Sequence, residues 1–210
     1  MLFNYDIYGF NGGRTRLMAD QIADKGYLVL LPDYYRQDSW PESKPPGGPD
    51  TFEWILQFTW EKVEKDIYSK VLPYLMEKGV TTVGTVGTCW GAWVVLKACT
   101  SDQFRCGVSW HPSFQCAGVF GEKEEDIAEL VKSPQLIMPA GGDLQNVMED
   151  GEILKILRSK PFGEACEHKF FPDVTHGFMT RGDLSKEANR EAVKEGMELA
   201  LAFLDKHMNS

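Results

Sequence analysis

The 210-residue chain is predicted to fold as a single α/β domain over residues 1–210, with helices on both faces of a mostly parallel sheet. Short apolar runs alternate with longer helix-like segments, which is the pattern of parallel strands joined by crossover helices. The last of these segments carries its apolar residues on one flank and most of its charges opposite. Two helix-like segments end at Gly26 and Gly79, and glycine is typical of the position after a helix.

The elements follow from this alternation in chain order. Strands are predicted for residues 2–6, 27–31, 82–86, 106–110, 135–139 and 169–171. Helices are predicted for residues 14–25, 52–78 with a possible break near Pro73, 92–100, 149–160 and 186–207. The stretch 41–49 is rich in proline and glycine and predicts a surface loop within the domain.

Composition excludes several classes of protein. Apolar residues make up 43% and charged residues 25% of the chain, as in globular proteins. The formal charge of −9 argues against a nucleic-acid partner, which requires a basic surface. No apolar run approaches the roughly 18 residues of a membrane span. Together with the absence of a visible signal peptide, these features predict a cytoplasmic protein with no membrane or nucleic-acid partner.

The five cysteines are an odd number and are scattered without CxxC spacing, so neither a disulfide framework nor a metal site is expected. No HxxxH motif or Cys/His cluster suggests a metal, and no cofactor is expected. This usage of cysteine favours a reducing compartment.

The sharpest local signal is the segment VGTCWGA at residues 86–92, which has the G-x-S-x-G form of a nucleophile elbow with Cys89 in the serine position. A strand that turns abruptly into a helix leaves the nucleophile strained at the tip, so residues two before and two after must be small. The N-terminus of the following helix favours a thiolate at Cys89. A buried cysteine in a glycine-rich turn is the alternative interpretation.

A cysteine nucleophile needs a base and a group that orients the base, in the chain order nucleophile, acid, histidine. His176 lies between the last short strand and the last helix, where such a base is expected. His111 follows a strand and could also face the site. Asp143 follows a strand at the same sheet edge and is the predicted acid, whereas Asp173 is interpreted as loop structure because it is too close in sequence to His176.

These motifs, GTCWGAW, MPAGGD and THGF in this order, resemble the dienelactone hydrolase family over nearly the whole chain. The resemblance implies an α/β-hydrolase fold and a thiol hydrolase of small esters or lactones. It implies an oxyanion hole formed by the backbone N–H groups of Ile7 and Trp90. Asp6 stands where the family has a glutamate that holds the thiol, and Arg181 is the nearest match, displaced by one position, to an arginine that binds a substrate carboxylate.

The same resemblance implies that the first predicted strand is the third of the usual sheet, so that the N-terminal strands are missing and six remain. Residues 27–31 would then form an apolar edge that invites pairing with another chain, which makes a homodimer possible. The alternative is that the proline-rich loop of residues 35–51 covers this edge.

Two functions fit these features of the sequence. The first is hydrolysis of a small ester or lactone through an acyl-thioester on Cys89. The second is a non-catalytic ligand-binding or redox-sensing protein on the same scaffold, in which Cys89 is the sensor thiol. The presence of both His176 and Asp143 favours the first function, ester or lactone hydrolysis.

Overall fold

The computed structural model describes residues 1–209, in which a parallel sheet forms the centre of the domain. The strands are β1 (Leu2–Asn4), β2 (Val83–Cys89), β3 (Phe104–Pro112), β4 (Gln135–Met138), β5 (Ala140–Gly141), β6 (Glu167–His168) and β7 (Phe171–Thr175). Five of them pair in the order β1-β2-β3-β4-β6, with every pair parallel. The strands β5 and β7 form a separate parallel pair.

Helices cover both faces of the sheet, as the alternation of the sequence predicts. The α-helices are α1 (Thr15–Ala23), α2 (Pro49–Ile55), α3 (Trp60–Asp66), α4 (Leu72–Glu77), α5 (Trp90–Ala98), α6 (Glu124–Leu130), α7 (Glu152–Arg158), α8 (Phe178–Arg181) and α9 (Glu187–Met208). Buried residues of α1, α8 and α9 form one apolar cluster with one face of the strands. Buried residues of α2 to α7 form the other cluster. This arrangement is the α/β-hydrolase-like architecture.

The predicted helix over residues 52–78 is wrong as a single element. The chain forms α2, α3 and α4, with a loop between α2 and α3 and a π-helical turn at Ile67–Val71 before α4. Pro73 lacks an N–H and cannot join a regular helical ladder, which fits a local widening of the helix just before it. The helix α6 and a 3₁₀ helix at Phe114–Phe120 were not expected from the sequence.

Two predicted strands differ from the observed ones. Of the predicted strand 169–171, residues 169 and 170 lie between β6 and β7, and Phe171 is the first residue of β7. Lys169 and Phe171 donate backbone hydrogen bonds to the carbonyls of Ile137 and Pro139. Residues 27–31 lie next to β1 at the sheet edge, as the resemblance implies, but a single bridge joins Leu30 to Leu2. Because β1 has only three residues, it offers little backbone for a longer ladder.

The edge at residues 27–31 is partly open. Leu30 uses its backbone groups toward β1, so Val29 and Leu31 direct theirs away from the sheet. Arg36 of the proline-rich loop pairs with Asp66 beside this edge. Pro46 and Gly47 of the same loop lie elsewhere, in the pocket that contains Cys89, so the loop covers the edge only in part. The predicted homodimer at this edge stays a prediction.

Light scattering tests that prediction. The protein is expected to scatter as a dimer, and Leu28→Lys, at a side chain that is 39% exposed, should shift it toward the monomer because an edge charge opposes strand pairing. Leu56→Lys, at a leucine that is 49% exposed and outside the edge, is the matched control and should not change the mass. A monomeric wild-type protein would contradict the prediction.

None of the described helices is long and apolar enough to cross a membrane.

Candidate active site

Cys89 lies at the turn between β2 and α5 in a strained conformation. Its backbone has φ 54° and ψ −119°, a region that residues with a side chain rarely adopt. A Cβ atom added at Gly87 would lie 2.4 Å from the carbonyl oxygen of Gly91, and one added at Gly91 would lie 2.2 Å from that of Asn4. Close backbone approach therefore requires glycine on both sides of Cys89. This geometry presents the thiol at the carboxyl end of the sheet.

His176 and Asp143 meet at the same end of the sheet. His176 follows β7 and precedes α8, and its Nδ1 donates to Asp143 Oδ1 over 2.6 Å. The other oxygen of Asp143 accepts the N–H of Ala140 at 2.8 Å, which holds the carboxylate in its loop. The Asp143 side chain is 5% exposed, whereas that of His176 is 35% exposed. The bond to Asp143 leaves Nε2 of His176 free to face the thiol.

Ser113 is a site residue that the sequence analysis missed. It follows β3, and its Oγ lies 3.5 Å from Cys89 Sγ and 3.5 Å from His176 Nε2. No motif marks this serine. The only available signal was its position just after a strand, at the sheet edge where Asp143 also lies.

The electrostatics of the site favour a thiolate beside an imidazolium. Burial raises the pKa of the Cys89 thiol, but the charge of His176 and hydrogen bonds from His176 and Ser113 outweigh burial and leave the pKa lowered. Burial lowers the pKa of His176, but the Cys89 thiolate and the bond to Asp143 raise it to about 10. A thiolate paired with an imidazolium is the reactive form of a cysteine nucleophile.

The other four cysteines have the opposite character. Cys99, Cys106, Cys116 and Cys166 are buried, and burial raises the pKa of each thiol. For Cys99 and Cys106 the raised values are about 11 and 12. Thiol reactivity depends on the thiolate fraction and on access, and of the five cysteines Cys89 alone combines a lowered pKa with partial exposure.

Asp6 and Arg181 pair with each other at the wall of the site. Asp6 is fully buried; its Oδ2 accepts from Thr180 Oγ1 at 2.8 Å and from Arg181 Nη1, and its Oδ1 accepts the Tyr8 N–H at 2.9 Å. The guanidinium of Arg181 also lies 4.0 Å from the centre of the Tyr8 ring. Asp6 forms no hydrogen bond to Cys89 within residues 1–209, and the charge of Arg181 is already compensated.

The two residues predicted to form the oxyanion hole belong to different elements. Trp90 is the first residue of α5, and the N–H groups of a first helical turn have no partner within the helix. Ile7 lies in the turn after β1, and its carbonyl accepts the N–H of Trp40 at 2.8 Å. The bond from Tyr8 to Asp6 fixes the same turn. Both predicted oxyanion residues line one pocket with Cys89.

That pocket has a volume of about 220 Å³ and mostly apolar walls. Ile7, Phe52, Ile55 and Val119 are among its apolar lining residues, while His176 and Arg181 supply its cationic groups. No acidic side chain of the described residues lines it. The space accommodates a small molecule with limited polar surface.

His111 lies behind His176 and not in the pocket wall. It is fully buried, and its ring stands edge-on to that of His176 with 4.9 Å between the centres. Burial, followed by the charges of His176 and Arg181, lowers its pKa well below the usual value. His111 is therefore a neutral neighbour of His176 and does not compete with it as a base.

The fold and the pocket define a hydrolase of the α/β-hydrolase class. The chain belongs to the dienelactone hydrolase family, whose model matches residues 2–208. It is 32% identical to the carboxymethylenebutenolidase homolog of Xenopus tropicalis and 30% identical to that of Homo sapiens, with 97% of this chain and 80% of each relative covered. Hydrolase activity on carboxylic esters or lactones follows from this family.

Solved structures agree on the fold. A dienelactone hydrolase from Anabaena variabilis superposes with a TM-score of 0.58 at 17% identity, covering 98% of this chain and 85% of that one. An esterase from Pyrococcus furiosus superposes with a TM-score of 0.57 at 14% identity, covering 99% and 81%.

Proposed function

We propose that Cys89, His176 and Asp143 form a catalytic triad that hydrolyses small, uncharged esters or lactones through an acyl-thioester. The observation that carries this proposal is the convergence of three groups distant in sequence. Asp143 binds His176 over 2.6 Å, and the opposite ring nitrogen faces a thiol whose pKa is lowered. The motif order nucleophile, acid, histidine adds support.

The reaction begins from the thiolate and the imidazolium. Cys89 Sγ attacks the carbonyl carbon, and the displaced electron pair moves to the oxygen, which the N–H groups of Ile7 and Trp90 stabilise. Collapse of this intermediate breaks the ester bond, and His176 Nε2 gives its proton to the departing alkoxide. Asp143 holds the imidazole in the orientation that this transfer requires.

Deacylation restores the starting state. His176, now neutral, takes a proton from water as the water oxygen attacks the thioester carbon. The second tetrahedral intermediate expels the Cys89 thiolate, and the acid leaves. The imidazolium formed in this step again pairs with the thiolate, so the cycle balances in protons and charge.

The pairing of Arg181 with Asp6 supports an uncharged substrate. A substrate carboxylate would have to share Arg181 with a buried carboxylate that already neutralises it. The remaining walls are mostly apolar and bind small acyl or alcohol groups by burial of their surface.

The direct test is hydrolysis of p-nitrophenyl acetate and a panel of neutral and acidic lactones. Protein treated with iodoacetamide, which alkylates the reactive Cys89, is the control and should be inactive. Turnover that survives complete alkylation of Cys89 would reject the proposal.

A variant at Arg181 separates two roles for this residue. We expect Arg181→Met to lower kcat/KM about tenfold for neutral and acidic substrates alike, because it frees Asp6 from its partner and loosens the turn that carries Ile7. A rise in KM confined to acidic substrates would instead support the carboxylate-binding role that the family resemblance implies. Arg190→Met, at another arginine of the chain, is the matched control.

A further inference from the structure

The thiolate of Cys89 lies in an environment that is not wholly favourable to its charge. The carboxylate of Asp6 opposes ionisation of the thiol, as does burial. Asp6 itself is committed to Tyr8, Thr180 and Arg181, so it offers the sulfur no hydrogen bond. A protonated His176 compensates part of this cost. The only other side chain with a hydrogen bond to Sγ, among the described residues, is Ser113.

Backbone hydrogen bonds fix Ser113 on both sides. Its N–H donates to the carbonyl of Cys89 at 3.1 Å, and its own carbonyl accepts the N–H of Cys116 at 3.0 Å. The residue is 7% exposed, so water has little access to the hydroxyl. The bond to the Cys89 carbonyl ties Ser113 to the nucleophile's own backbone, and the hydroxyl therefore keeps its position relative to the sulfur.

The position of the hydroxyl suits a specific hydrogen-bonding role. Ser113 Oγ is 3.5 Å from Cys89 Sγ and also 3.5 Å from His176 Nε2. A serine hydroxyl has one proton to donate and lone pairs to accept. It can therefore donate to the thiolate while facing the N–H of the imidazolium with a lone pair. The proton of His176 stays on Nε2, and that of Ser113 stays on Oγ.

We infer that Ser113 is a positioning residue that donates a hydrogen bond to the Cys89 thiolate and keeps the sulfur aligned with His176. The inference rests on the proposed function in taking Cys89 as the reacting thiol. In this chain Ser113, which follows β3, would hydrogen-bond the Cys89 sulfur, whereas Asp6 does not.

Alkylation of Cys89 tests the inference without any substrate. The rate of modification by iodoacetamide is measured on the full chain between about pH 4 and pH 9, with mass spectrometry to confirm the modified residue. Ser113→Ala is expected to raise the apparent pKa of the thiol by about half to one unit, which lowers the thiolate fraction below that pKa about three- to tenfold. Ser113→Thr keeps a hydroxyl and should retain the wild-type profile.

A second serine on β3 provides the matched control. Ser109 is also buried, and its hydroxyl has no hydrogen-bond partner among residues 1–209. Ser109→Ala should leave the alkylation profile unchanged. An unchanged pKa in Ser113→Ala, or an equal shift in Ser109→Ala or in Ser113→Thr, would overturn the role of the Ser113 hydroxyl.

The two hypotheses fail separately. Ester hydrolysis that persists in Cys89→Ala rejects the proposed function but leaves a shift in the alkylation profile interpretable. A wild-type alkylation profile in Ser113→Ala, together with an inactive Cys89→Ala, rejects only the inferred role of Ser113 and leaves the proposed function in place.

Discussion

Replacing Cys89 or His176 by alanine is expected to lower kcat by about 10³-fold or more on any ester that the protein hydrolyses. In the proposed mechanism, the first change removes the atom that attacks the carbonyl carbon, and the second removes the group that pairs with the thiolate and protonates the departing alkoxide. Asp143→Asn should cost a similar factor or less, because an amide can still contact His176 Nδ1 but does not favour the imidazolium. Initial rates with p-nitrophenyl acetate provide the measurement.

Matched variants separate loss of chemistry from loss of fold. Cys166→Ala removes a buried thiol whose pKa is raised, and its kcat should stay near the wild-type value. Circular dichroism should give the same spectrum for all of these variants. A Cys89 or His176 variant that keeps more than about a tenth of the wild-type rate would be incompatible with the triad.

Replacing Gly91 by alanine is expected to destabilise the protein by about 3 kcal/mol. In most helices such a change would be stabilising by about 0.5–1 kcal/mol, because alanine loses less backbone entropy on folding. Here the added Cβ would lie 2.2 Å from the carbonyl oxygen of Asn4, so α5 must move away from β1. The displacement also shifts the N–H of Trp90, and activity should fall with stability. Urea unfolding monitored by tryptophan fluorescence measures the change.

Gly118 offers the corresponding control. It lies in the 3₁₀ helix after β3, and a Cβ added there meets no heavy atom within 4 Å. Gly118→Ala should therefore unfold within about 0.5 kcal/mol of the wild type. Equal stability of the Gly91 and Gly118 variants would show that α5 does not pack this closely on β1 in solution.

The sequence predicted the turn from β2 into α5 at Cys89 well because the determinants of that turn are local. Cys89 is flanked by glycines two residues away on each side, a strand pattern precedes it and a helix pattern follows. These features depend on neighbouring residues and on sterics that any strand–helix turn shares. The prediction of one long helix over residues 52–78 was wrong for the opposite reason. The apolar pattern continues through the breaks between α2, α3 and α4, and those breaks depend on packing against the sheet.

By itself the sequence determined the fold class and brought Cys89, Asp143 and His176 to one end of the sheet, because the carboxyl ends of parallel strands share an edge. Only the tertiary structure decided what surrounds them. It placed the Ser113 hydroxyl within 3.5 Å of both the Cys89 sulfur and the His176 imidazole, and it paired Asp6 with Arg181 across 175 positions of the chain. Such contacts depend on how crossover helices and loops return to the sheet, and no local pattern encodes those distances.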